Sequence, residues 1–203
     1  MFTQFGGSAL TLESFGAFDC KSLRSMAEVK IDSLGALQKF NLSRLPNFNL
    51  LPQHGLPSNL RSILVDDCKG LSSMSIEDWG FQRMASLLEF WFRGDEGEGI
   101  LHNLLKKQLL PTSLVRVYIR NVPNLKFLDG KGIQHLASLE ALYIHDCPNL
   151  ESLPEDDLPS SHLLLHISRC PELRERCHYQ RGKHLSKIAH TPTIKINDQH
   201  YDS

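Results

Sequence analysis

The sequence predicts an α/β solenoid: a curved, right-handed superhelix of repeats, with short parallel strands on its concave face and a mostly irregular or short-helical convex side. Three observations carry this expectation. One apolar frame recurs along most of the chain, the copies are nearly evenly spaced, and the centre of each copy alternates apolar and polar residues with period two. Repetition of this kind decides the fold before any single element is considered.

The frame is clearest at Leu139, Leu142, Ile144, Cys147, Leu150 and Leu153, with the spacing L-x-x-L-x-I-x-x-C-x-x-L-x-x-L. Leu12, Phe15, Ala17, Cys20, Leu23 and Met26 repeat it, followed by Leu37, Phe40, Leu42, Leu45, Phe48 and Leu51. Leu60, Ile63, Val65, Cys68, Leu71 and Met74 form the third copy. A degenerate fourth keeps Leu87, Phe90 and Phe92 but puts Asp95 and Glu98 at inward positions. Leu114, Val117, Ile119, Val122, Leu125 and Leu128 restore the pattern, and His162, Leu165, Ile167, Cys170, Leu173 and Arg176 form the last copy. The first anchors stand 25, 23, 27, 27, 25 and 23 residues apart, within the window of leucine-rich repeats.

The alternating centre places its two apolar residues on one face of a strand and the residue between them on the other. One such repeat cannot bury its own apolar groups, whereas stacked repeats build a continuous core. About seven strands follow, with the solenoid over 1–170 and a capping segment and tail over 171–203. Proline-bounded arms such as Leu51–Pro57, Leu110–Ser113 and Leu153–Pro159 favour extended or turn paths, while Gly132–Leu139 can form a short helical turn. Arg93-Gly94-Asp95-Glu96-Gly97-Glu98-Gly99 is expected to be a solvated loop.

Composition excludes several classes. Lys and Arg number 22 against 23 Asp and Glu, a net charge of -1, which argues against a whole-protein nucleic-acid or membrane-surface role. No apolar run is long enough to span a bilayer, and the N-terminus lacks the pattern of a secretory signal. Four of the five cysteines, Cys20, Cys68, Cys147 and Cys170, fall at one repeat position and are expected to be buried, reduced thiols in a cytoplasmic or nuclear setting. The sequon Asn41-Leu42-Ser43 is too common a tripeptide to signify glycosylation here. No phosphate-binding G-x-x-x-x-G-K-[ST] loop, no G-x-S-x-G and no H-E-x-x-H occurs, and neither His145 with His166 nor Cys177, His178 and His184 have a metal-ligand spacing. No enzyme activity, metal or cofactor is therefore expected. Seven Lys and Arg against two acidic residues between Arg169 and Lys195 are read as a solvated basic cap.

Beside the frame, the elements L-x-x-L-x-I-x-x-C-P-x-L-x-x-L-P and L-P-x-S-x-L resemble the leucine-rich-repeat region of plant nucleotide-binding disease-resistance proteins of the coiled-coil class. Cys170-Pro171-Glu172-Leu173-Arg174-Glu175-Arg176-Cys177, Gly182 and Lys187-Ile188-Ala189-His190-Thr191-Pro192-Thr193-Ile194-Lys195-Ile196 are similar to the ending of many such receptors. That family usually carries an acidic residue and Trp just before the last stretch, where this chain has His184-Leu185. The resemblance implies a non-catalytic recognition module of innate immunity, from a truncated or free-standing receptor, whose protein ligand is a pathogen effector, a host guardee or the receptor's own signalling domains. A substrate adaptor of a ubiquitin ligase is the alternative, although no F-box segment is found.

Binding is expected on the concave face. The outward column between the central anchors reads Gly16, Asn41, Leu64, Trp91, Tyr118, Tyr143, His166, and two residues on it reads Phe18, Ser43, Asp66, Arg93, Arg120, His145, Ser168. Aromatic and Arg side chains are enriched in binding hot spots. Trp91, Arg93, Tyr118, Arg120, Tyr143, His145 and His166 are thus the expected partner-binding residues, against the alternative that the aromatic column only reinforces the sheet.

Overall fold

A computed structural model describes residues 11–26, 31, 34–49, 51, 55–73, 75–94, 98–154, 163–179 and 193–197. Its centre is one open sheet of eight parallel strands in chain order. The strands are β1 (Ser14–Phe18), β2 (Lys39–Ser43), β3 (Ser62–Asp66), β4 (Glu89–Arg93), β5 (Arg116–Arg120), β6 (Ala141–His145), β7 (Leu164–Ser168) and β8 (Thr193–Asn197). Every repeat of the apolar frame contributes one five-residue strand. Gly16, Asn41, Leu64, Trp91, Tyr118, Tyr143 and His166 are successive register partners across the sheet. β8 adds a strand beyond the seven expected: it lies in the segment read as a cap, and it pairs with β7 as a further parallel strand.

Backbone hydrogen bonds explain why the register never slips. At the strand entrances from β1 to β6 one carbonyl of a repeat accepts two amides of the next: Gln38 O takes Arg61 and Ser62 N–H, Arg61 O takes Leu88 and Glu89, and Leu88 O takes Val115 and Arg116. At the exit, Asp19, Arg44, Asp67, Asn121, Asp146 and Arg169 adopt positive φ between 48° and 56°. That left-handed turn aims the amides of Asp19, Arg44, Asp67, Asn121 and Asp146 at the carbonyl of the neighbouring strand. It also swings the following residue, Cys in four of these repeats, off the strand line.

The core lies on one side of this sheet. Phe40, Leu42, Ile63, Val65, Phe90, Phe92, Val117, Ile119, Leu142, Ile144, Leu165 and Ile167 are all buried, as parity requires. Trp79 and Phe81 join them from the far side, Phe81 meeting Phe90 edge to face at 5.6 Å. The far side carries 3-10 turns at Lys69–Ser73, Ile76–Trp79 and Phe81–Arg83, and the helices α1 (Glu98–Lys106), α2 (Gly130–Gln134) and α3 (Pro171–Tyr179).

Several expectations are corrected. The segment read as a solvated loop runs into a helix: Glu98 opens α1, whose Ile100, Leu101, Leu104 and Leu105 are buried. Asp95 lies outside the described residues, as do Met74, His162 and the first ten residues. Leu12 is 40% exposed, and Cys20 is exposed rather than buried. Both belong to the repeat of β1, which among the described residues pairs with β2 alone, so no described strand covers them from the other side. At the other end Arg176 is not inward: it reaches over the surface to Glu151 at 3.0 Å and Glu172 at 2.9 Å.

Candidate aromatic recognition face

The face opposite the core holds every residue expected to bind a partner. Because β4, β5 and β6 pair in register, their middle residues stand side by side, and the rings close into a ladder. Trp91 and Tyr118 are parallel within 5° with centroids 3.5 Å apart, and Tyr118 and Tyr143 are parallel within 5° at 4.6 Å. His166 ends the ladder edge-on to Tyr143 at 5.8 Å, and His145 meets His166 edge-on at 5.1 Å. The His166 Nε2 atom is buried without a hydrogen-bond partner among the described residues. Trp91 is 38% exposed, whereas the two tyrosines are half-buried between their neighbours.

Charged residues border the ladder on both sides. Toward the strand entrance, Glu89 accepts two hydrogen bonds from Arg116, at 2.7 and 2.9 Å, and one at 3.5 Å from the Trp91 indole N–H. The Glu89 carboxylate raises the Arg116 pKa through that hydrogen bond. Burial, with Glu89 and Tyr143 nearby, raises the phenol pKa of Tyr118. Toward the exit, Arg93 faces Asp66 at 3.6 Å, and Arg120 faces Asp146 at 3.5 Å. Asp66 is buried and accepts from the Ser43 hydroxyl at 2.7 Å, while Asp146 pairs with Arg169 at 2.7 Å. His145 shares a hydrogen bond with the Ser168 hydroxyl. Burial, then His166 and Arg120, lowers the His145 pKa.

Strand parity put the whole second column in solvent, and this is too simple. Ser43, Asp66 and Ser168 are buried: the Ser43 hydroxyl bonds Asp66, which Arg93 faces, and Ser168 bonds His145. Only Phe18, Arg93 and Arg120 in that column are exposed, and His145 is half-buried. The sequence reading also missed Glu89 and Arg116, although two oppositely charged residues at one repeat position in consecutive copies are the signal of a cross-strand pair.

The three inward thiols share one hydrogen-bond geometry, although the Cys147 thiol lowers the Cys170 pKa. Cys68, Cys147 and Cys170 are buried and each donates to the carbonyl two residues earlier, Asp66, His145 and Ser168, at 3.3–3.4 Å. Burial pushes the Cys68 thiol up to about 11. The adjacent Cys170 thiol and burial push Cys147 further in the same direction. Among the described residues no group of three or more His, Cys, Asp or Glu side chains could hold a metal ion. A surface depression of about 410 Å³ lined by Gly35, Gln38, Asn59, Arg61 and Leu88 shares no residue with the ladder.

No helix among the described residues is long and apolar enough to cross a membrane. No family model matches the chain, and no solved structure matches it. The chain is 29% identical over 198 residues to an Arabidopsis thaliana protein whose name marks it as a candidate disease resistance protein. The match covers 98% of this chain and 13% of that relative, so the chain spans a small part of its length. Over nearly all of its residues, then, the chain is similar to a stretch of a plant resistance-type protein.

Proposed function

We propose that the chain is a leucine-rich-repeat recognition module of plant innate immunity, without catalytic activity, and that it holds a protein ligand on the ladder face. Its ligand is a pathogen effector, a host guardee or the signalling domains of its own receptor, met in the cytoplasm or nucleus. The observation that carries this reading is Trp91: a large aromatic at the end of a rigid stack, 38% exposed, with arginines beside it. Rings held in place by their neighbours lose little conformational freedom on binding, which favours them as anchors. The similarity to a resistance-type protein supports the setting.

The test uses the full chain immobilised against extracts of pathogen-challenged and unchallenged leaves. A protein retained by the wild type should be held about thirtyfold more weakly by Trp91→Ala, the scale of a hot spot worth about 2 kcal/mol. The variant's melting temperature must stay close to that of the wild type. Equal retention removes the ladder from the reading. The coding sequence around the chain separates the two function classes: a nucleotide-binding domain upstream supports an immune receptor, and an F-box supports a ubiquitin-ligase adaptor.

A further inference from the structure

We infer that the ladder face takes an acidic polypeptide segment, with carboxylates bridging Arg93 and Arg120; this rests on the recognition reading above and names the chemistry of its partner. The argument begins with the carboxylates already on the face. Glu89 is engaged by Arg116 and the Trp91 indole, Asp66 by Ser43, and Asp146 by Arg169. Each has a short partner other than Arg93 or Arg120. Those two arginines reach Asp66 and Asp146 only at 3.6 and 3.5 Å, beyond good hydrogen-bond length. Their side chains are 49% and 48% exposed.

Arg93 and Arg120 are also register partners on neighbouring strands. Strand spacing puts their backbones about 4.8 Å apart, and like charges directly opposite one another destabilise a sheet. An anion between them replaces that repulsion with two charge-assisted hydrogen bonds in the forked geometry that guanidinium offers a carboxylate. Trp91 and Tyr118 are two residues earlier on the same two strands and the same face, about 7 Å away. A segment whose acidic side chain reaches the arginines lays a neighbouring apolar side chain over the rings. The expected partner sequence therefore alternates or adjoins acidic and apolar residues. Phosphate-rich partners fit less well, since a phosphomonoester brings about −1.5 to −2 charges where a carboxylate brings one, and Glu89, Asp66 and Asp146 flank the site.

A ten-residue peptide alternating Glu and Leu is the probe. Trp91 is the exposed one of two tryptophans, Trp79 being buried, so its emission reports occupancy. Titration should give a saturable change. Arg93→Gln with Arg120→Gln should weaken binding at least tenfold, and Lys21→Gln, an exposed charge in the first repeat, should leave it unaltered. The double variant loses a like-charge pair together with the two long ion pairs to Asp66 and Asp146, so its melting temperature should stay near that of the wild type. If it melts lower, Arg93→Lys with Arg120→Lys keeps the charge and must retain binding better than the Gln pair. Unchanged affinity in the Gln pair, equal binding of the Lys–Leu counterpart, or tighter binding of pyrophosphate or a short oligonucleotide through the same arginines overturns the inference. A plant protein lost with Trp91→Ala yet held by the Gln pair leaves the recognition face standing and sinks only its acidic occupant.

Discussion

Gly132 lies directly against the backbone of Leu105: a β-carbon placed on it would stand 2.4 Å from the Leu105 carbonyl oxygen. The contact is between the start of α2 and the last turn of α1. It lets two consecutive far-side helices touch where the sheet brings their strands together.

Gly132→Ala sets two effects of opposite sign against each other. Alanine gains about 1 kcal/mol over glycine inside a helix. Overpacking against backbone that cannot turn aside costs about 1–3 kcal/mol. The clash should win, and Gly132→Ala is expected to lower stability by about 1–2 kcal/mol in denaturant unfolding. An unchanged or raised midpoint would show that α1 yields freely.

Tyr118 has a ring on each side, whereas Trp91 has one. Each stacked pair contributes about 0.5–1.5 kcal/mol beyond burial, so Tyr118→Ala should cost about 1–3 kcal/mol of folding stability. Tyr118→Phe keeps both stacks and should cost well under 1 kcal/mol. This makes Tyr118 a poor site for isolating a binding effect, and Trp91 the better one. Thermal unfolding of the two Tyr118 variants checks the order.

Thiol labelling of the native protein should divide the cysteines. Cys20 is exposed and should react promptly, while Cys68, Cys147 and Cys170 are buried and should stay unmodified until unfolding. The upward shift of Cys68 to about 11 leaves little thiolate at neutral pH. Fast reaction of the buried three at pH 7 would mean that the exit turns open readily.

Acid should loosen the junction between Ile76–Trp79 and the end of α1. Hydrogen bonds from Lys107 and Ser75 bring the Glu77 carboxyl from 4.5 down to about 2. A depressed carboxyl pKa means that the unfolded chain binds its proton first as pH drops. The stabilisation is complete above about pH 4.5 and is lost as pH falls toward 2. Glu77→Gln should flatten the melting-temperature profile in that window and change it little at pH 7, since exposed ion pairs contribute weakly. An identical acid limb in both proteins would assign the loss to other carboxylates.

The strands, their register and the ring column were legible because each depends on a short local pattern. Phe90, Trp91 and Phe92 fix which ring faces out without reference to anything distant. What was not legible depended on neighbours. The frame gives Cys20 and Cys147 the same position, but among the described residues Cys147 has a repeat on both sides and Cys20 on one. Asp66 has the parity of a surface residue, yet it is buried between Ser43, which donates to it, and Arg93. α1 was hidden by the glycines and acids before it, although Ile100, Leu101, Leu104 and Leu105 already had helical spacing. The exit turn did have a signal: Asp or Asn before the inward residue in Asp19-Cys20, Asp67-Cys68, Asn121-Val122 and Asp146-Cys147, short polar residues that tolerate the left-handed region.

The helix between β4 and β5 leaves their pairing untouched: Glu89 still meets Arg116, and Arg93 still meets Arg120. Length added behind the sheet is thus mechanically decoupled from the spacing in front of it. The open face is a grid of constant pitch, about 4.8 Å from row to row and about 7 Å between outward side chains within a row. A substitution at one grid point changes the contacts with its row neighbours while the hydrophobic wall beneath keeps its own pattern, and duplicating a repeat adds a row. The outward chemistry of such a face can change one square at a time, keeping the same board.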